Sequence, residues 1–176
     1  FGLLFVSFLL QYFVRILQVG GSDHNDCFMG FGLFFALWVV VVAKFSDIGA
    51  LLIGKAIGRT KMAPSISPGK TIEGLIGGFA ASAGMGALLP WLFQEKFTDI
   101  VFFGDWVFTP VQGAIWGALL ALSAVIGDLI ASVLKRLASM KDSGGAIPGI
   151  GGLFDLTDSL ILAAPTGYFI LFLLQK

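Results

Sequence analysis

The sequence predicts an all-α, polytopic membrane bundle of about five transmembrane helices, forming a single domain over residues 1–176. Three observations carry that expectation. Apolar residues make up 57% of the chain and charged ones only 12%, with a mean hydropathy of +0.93, well outside the range of soluble proteins. The apolar residues fall into five segments, each able to supply a span of roughly 20 residues. The basic residues between them gather in alternate connections, as membrane topology requires.

The first segment covers residues 1–19, interrupted by Gln11 and Arg15. No small-residue cleavage site follows it, so it does not read as a signal peptide. The chain begins at Phe1, already inside the apolar run, and is expected to be a piece whose own N-terminal spans are missing. A polar turn at 20–26 leads to a second segment, about 28–54, which carries Lys44 and Asp47 inside it. The third runs about 72–94, the fourth about 111–134 with Asp128 inside it, and the fifth about 158–175. Apolar character all round each segment implies helix, because lipid offers no partner to open backbone groups. Many of the 24 glycines lie within spans, among them Gly74, Gly77, Gly78, Gly84 and Gly86. Small residues there let helices approach closely.

The connections orient the bundle. Residues 55–71 hold Lys55, Arg59, Lys61 and Lys70 with no acid, and residues 135–157 hold Lys135, Arg136 and Lys141. The turn at 20–27 has no Lys or Arg. Two spans separate the basic connections, so both lie on one side, and the positive-inside bias makes that side cytoplasmic. Anchoring accounts for Lys55, Arg59 and Lys61; the other four stand beside further polar groups. Formal net charge is zero, and no nucleic-acid partner is expected. Cys27 and His24 are the only residues of their kinds. This excludes an internal disulfide, a cysteine-based zinc site and a histidine-paired nucleophile. Any metal must be held by oxygen, which points to a hard cation such as Mg²⁺.

Residues 132–158 place three cations, three carboxylates and five glycines between two apolar segments. Spanning a membrane does not require such a connection, and its natural client is phosphate held with a metal ion. Asp128 lies toward the cytoplasmic end of the fourth span. A carboxylate at a span centre costs roughly 2.5–3.5 kcal/mol, so it is expected to face the bundle interior with a partner. Lys135, seven residues on, shares its helical face. Asp155 and Asp158, spaced i, i+3, project from one side if that turn is helical, and such a pair suits a divalent ion. Capping of the fifth helix explains one of them without metal. Gly149, Gly151 and Gly152 allow close backbone approach to an anion at a helix start. The second polar cluster contains Ser67, Lys70, Thr71 and Glu73 at the start of the third span. Gly69-Lys70-Thr71 resembles the end of a P-loop, but position 64 is Pro64 and no buried strand precedes it, so a P-loop ATPase is rejected. A lysine and hydroxyls at a helix N-terminus remain a credible phosphate seat.

Together these residues resemble the phosphatidate cytidylyltransferases. That family's signature runs Ser-x-x-Lys-Arg, Lys-Asp-Ser, Pro-Gly-His-Gly-Gly and Asp-Arg-x-Asp. Its counterparts here are Ser132, Lys135, Arg136, Lys141, Asp142, Ser143, Pro148, Gly149, Gly151, Gly152, Asp155 and Asp158. Gly127-Asp128-Leu129 resembles the Gly-Asp-Leu upstream of it. Ser67-Pro68-Gly69-Lys70-Thr71 with Glu73 and Gly74 resembles Ser-Pro-x-Lys-Thr-x-Glu-Gly, and Asp47 with Gly49 and Ala50 resembles Asp-Thr-Gly-Ala. The chain departs from the pattern at Ile150 (His), Leu156 (Arg), Ala131 (Glu), Ile48 (Thr) and Leu51 (Tyr).

The resemblance implies attack by a phosphatidate phosphate oxygen on the α-phosphorus of CTP, giving CDP-diacylglycerol and pyrophosphate. It implies Mg²⁺ on Asp128, Asp155 and Asp158, with a second cation such as K⁺. Lys70, Lys135, Arg136, Lys141 and Asp142 would serve the chemistry. Ser67, Thr71, Glu73, Asp47, Ser132 and the three glycines would bind substrate. It further implies a bacterial inner membrane, membrane lipids as partners and an active site facing the cytoplasm, and it leaves a homodimer open. A CTP-dependent polyprenol kinase would share the cations and metal, a transporter would spread its charges along a route across the bilayer, and the departures also allow a catalytically impaired relative.

Overall fold

Lipid-facing backbone must be hydrogen-bonded within its own segment, and that requirement sets the architecture. The structure is a computed structural model and describes residues 2–18, 26–63, 67–96, 102–103, 106–137 and 158–174. Among these residues the helices are α1 (Gly2–Gln18), α2 (Asp26–Ile57), α3 (Ile72–Lys96), α4 (Pro110–Leu137) and α5 (Leu160–Leu174). They match the five expected segments closely. Three contain stretches long and apolar enough to cross a membrane: Gly32–Ile57, Ile72–Phe93 and Pro110–Leu134. The fifth segment yields a shorter helix than expected, because Asp158 and Ser159 form a turn and α5 begins at Leu160.

Two short hairpins, absent from the sequence expectation, join the helices. β1 (Lys61–Ala63) pairs antiparallel with β2 (Ser67–Thr71), with a register irregularity between Lys61 and Ala63. β3 (Phe102–Phe103) pairs antiparallel with β4 (Trp106–Val107). Thr71 ends β2 and caps α3, its Oγ1 accepting from the Gly74 N–H at 3.1 Å. At the start of α4, Thr109 and Gln112 form a reciprocal capping box. The Gln112 N–H donates to Thr109 Oγ1 at 3.3 Å, and the Thr109 N–H donates to Gln112 Oε1 at 3.0 Å.

Small residues set the helix spacing. A Cβ built on Gly86 would collide with the Gly113 carbonyl, and one on Gly113 with the Gly86 carbonyl, so α3 and α4 touch backbone to backbone. Gly49 and Gly77 make the same kind of contact between α2 and α3. Ser82 reinforces the α3–α4 seam by donating to the Gly117 carbonyl at 2.7 Å. The core beside these seams holds Phe35, Trp38 and Phe108, all essentially buried and in mutual ring contact. α5 closes the bundle against α4, where the Thr166 hydroxyl donates to Ser123 Oγ at 2.9 Å, and against α1 through Tyr12 and Tyr168.

One core contact repairs a backbone defect. Pro90 lies inside α3 and has no N–H, so the Gly86 carbonyl four residues earlier loses its helical donor. Trp38 Nε1 of α2 donates to that carbonyl at 3.1 Å. A neighbouring helix thus satisfies the group that proline leaves open. Trp38→Phe is expected to cost about 1–3 kcal/mol by leaving the carbonyl buried and unpaired. In a Pro90→Ala background, which restores the N–H, the same substitution should cost measurably less. Thermal unfolding of the four proteins in detergent checks this; an equal cost in both backgrounds refutes the repair.

Candidate active site

The charged residues that the spans should exclude collect at one end of the bundle. α2 approaches it with Ser46 and Asp47, β2 with Ser67, Gly69 and Lys70, α4 with Asp128, and the turn before α5 with Asp158. These residues line a cavity of about 420 Å³ together with Ala50, Leu51, Met62, Thr71, Gly74, Leu75 and Val125. Lys70 Nζ stands 2.6 Å from Asp128 Oδ2, and both side chains are largely buried. At that separation the ammonium is a charge-assisted partner of the carboxylate, and among the described residues no other group engages it by a hydrogen bond. Ser46 is 1% exposed, and its Oγ likewise has no hydrogen-bond partner among the described residues. An unpaired buried hydroxyl is rare and calls for a reason. Here it stands in the wall of the cavity that holds the Lys70–Asp128 pair.

On the α2 side, Lys44 Nζ lies 3.5 Å from Asp47 Oδ2 and donates to Ser159 Oγ at 2.8 Å. Asp158 Oδ1 accepts from the Ser159 N–H at 2.7 Å. Gly127, beside Asp128, lets α4 meet this turn closely: a Cβ there would sit 3.0 Å from the Asp158 carbonyl oxygen. Two lysines therefore face three carboxylates, Asp47, Asp128 and Asp158. The donor set is all oxygen and anionic, so it fits a hard cation. Among the described residues no three acidic side chains stand close enough to surround an ion.

The expected site residues divide into three groups. Asp47, Ser67, Lys70, Thr71, Asp128 and Asp158 come together around the cavity. Glu73 and Ser132 are not among its lining residues. The Glu73 carboxylate instead accepts from the N–H groups of Arg59, at 3.1 Å, and Thr60, at 3.2 Å, closing the turn between α2 and β1. Thr71 immediately precedes the first turn of α3, and its hydroxyl caps it. Lys135 and Arg136 lie in the last turn of α4, and Arg136 is exposed. Lys141, Asp142, Gly149, Gly151, Gly152 and Asp155 lie outside the described residues, so the expected Asp155–Asp158 pairing does too. Sequence reasoning passed over Lys44, Ser46 and Ser159. Lys44 gave a signal, a cation inside an apolar span, while the two serines gave none.

Three departures from the family pattern fall on described residues, and of these Ile48 is exposed on α2. Leu51 lines the cavity, so an apolar wall stands where the pattern has tyrosine. Ala131 is buried at 1%, a place that would force a glutamate to seek a partner.

A buried ion pair in a cavity at one end of an apolar helical bundle defines a polytopic helical membrane protein with a charged site at one end of its helices. The cytidylyltransferase family pattern matches residues 2–174, and the chain belongs to that family. It is 38% identical to the phosphatidate cytidylyltransferase of Synechocystis sp., across 98% of this chain and 61% of that protein. Identity to the enzyme of that name from Chlamydia trachomatis is 36%, across 100% of this chain and 54% of the other. For the Bacillus subtilis protein of that name the figures are 31%, 96% and 55%. The chain thus spans a little over half the length of these relatives. It is an integral membrane protein.

Lys70→Met should leave the Asp128 carboxylate buried without its counter-charge and cost about 1–3 kcal/mol or more. The double variant Lys70→Met with Asp128→Asn should recover much of that loss. Unfolding midpoints of the three variants and the parent provide the measurement, and additive losses would show that the pair does not interact.

Proposed function

We propose that this chain carries the nucleotidyl-transfer site of a phosphatidate cytidylyltransferase. In this reading the phosphatidate phosphate attacks the α-phosphorus of CTP, the bond to the β-phosphate breaks, and CDP-diacylglycerol and pyrophosphate leave. The observation that carries the reading is the Lys70 ammonium, held in the cavity wall beside Asp128. Two polyanions must meet for this reaction, so the work of the protein is positioning and charge neutralisation.

Lys70 donates to phosphate oxygens and offsets their charge as the pyrophosphate departs. The Ser46 hydroxyl, buried and without a hydrogen-bond partner among the described residues, donates to another acceptor in the same cavity. Asp128 and Asp158, with Asp155, would hold Mg²⁺. Such an ion, when bound, neutralises phosphate oxygens and orients the groups for in-line displacement. Asp47 remains tied to Lys44 and shapes the α2 wall. Lys135, Arg136 and Lys141 would draw the nucleotide from the cytoplasmic side of a bacterial inner membrane, the side that the positive-inside bias assigns to the basic connections.

The test supplies the purified protein with labelled CTP, phosphatidate and Mg²⁺ and identifies the products. CDP-lipid with pyrophosphate is expected, and phosphorylated lipid with CDP would make the protein a lipid kinase instead. Lys70→Ala should lower kcat/KM on the order of 100-fold, as loss of a preorganised charge donor does. Asp128→Asn and Asp158→Asn should raise the Mg²⁺ concentration needed for half-maximal rate. No CDP-lipid with any divalent ion refutes the activity, and unchanged Mg²⁺ dependence in both variants refutes the metal assignment.

A further inference from the structure

Lys44 has no part in the reaction just described, yet its placement is costly. It lies within the apolar stretch Gly32–Ile57 of α2, where a cation is unfavourable unless a specific partner receives it. Topological anchoring does not account for it, because the ammonium is engaged inside the bundle. It donates to Ser159 Oγ at 2.8 Å, a contact that spans 115 residues of sequence, and it stands 3.5 Å from Asp47. Ser159 is fully buried, and its backbone N–H is bound to the Asp158 carboxylate at 2.7 Å. The turn that carries Asp158 is therefore gripped from two helices. From α4 the grip is the close approach at Gly127; from α2 it is the Lys44–Ser159 hydrogen bond.

We propose that Lys44 is a positioning residue. By holding the Ser159 hydroxyl it fixes the Asp158 carboxylate in the cavity that Asp128 and Lys70 share. The proposal rests on the reading of Asp158 as a cation-holding carboxylate. Partners that hold a metal ligand in place typically account for 10–100-fold in metal affinity or activity. Lys44 also acts as a charge, with the opposite sign of effect: an ammonium near the site weakens cation binding, so removing it would tighten binding. Substituting Lys44 alone mixes the two contributions. Ser159 separates them, since removing its hydroxyl breaks the grip and leaves every charge in place.

The experiment titrates Mn²⁺ into the purified chain, followed by electron paramagnetic resonance, with thermal unfolding of each protein alongside. Ser159→Ala should bind Mn²⁺ about tenfold more weakly than the parent, while Ser159→Thr, which keeps the hydroxyl, retains most of the affinity. In a Lys44→Met background, Ser159→Ala should produce a smaller loss than in the parent, the remainder reflecting the bond of the Ser159 hydroxyl to Asp47. Parent-like Mn²⁺ affinity in Ser159→Ala, even with a lowered unfolding midpoint, overturns the proposal by reducing the contact to a structural tie. An equal loss in both backgrounds overturns it too, because the hydroxyl would then act without Lys44. A parent chain with no Mn²⁺ site overturns it together with the metal reading. A chain with the expected Mn²⁺ pattern that forms no CDP-lipid supports the positioning role and overturns the reaction instead.

Discussion

Ionised groups inside an apolar bundle must neutralise one another across helices, and the rest of this structure follows from that constraint. Lys70 reaches Asp128 from a strand to a helix, and Lys44 reaches Asp47 on its own helix and Ser159 on the turn before the last one. Neither lysine could be left alone at such depth, because an isolated buried charge costs several kcal/mol. The pairings draw the ends of α2, α4 and α5 and the hairpin strand β2 to one place. The same few contacts thus close the fold at that end and assemble the cavity.

Most of the helical architecture was legible because a lipid environment makes composition decisive. Five apolar runs gave five helices with boundaries within a few residues. The start of α4 could have been read more sharply, since Thr109, Pro110 and Gln112 already spell a capped helix start. The short hairpins could not be read. β2 contains a proline and a glycine, poor strand formers, and pairs with β1 only because the chain must return from α2 to α3 within a few residues.

Of the site, the sequence marked the charged groups, and the structure brings six of the expected residues to one cavity. Motif spacing could not tell a ligand-facing group from a scaffold group. Glu73 stands in the same motif as Lys70, yet its carboxylate holds backbone N–H groups of the preceding turn. Thr71 likewise caps a helix while sharing the cavity wall. Ser46 and Ser159 were silent for a different reason. A serine in an apolar run looks like any small residue until the fold places a cavity or a lysine beside it.

The glycine seams have a mechanical consequence. Backbones in direct contact at Gly49–Gly77 and Gly86–Gly113 leave no slack for sliding or separation, so α2, α3 and α4 move as one rigid plank. Any breathing of the cavity must therefore fall on the parts fastened by side chains. Those parts are the first hairpin, tied in by Lys70, and the turn leading into the final helix, tied in by Lys44.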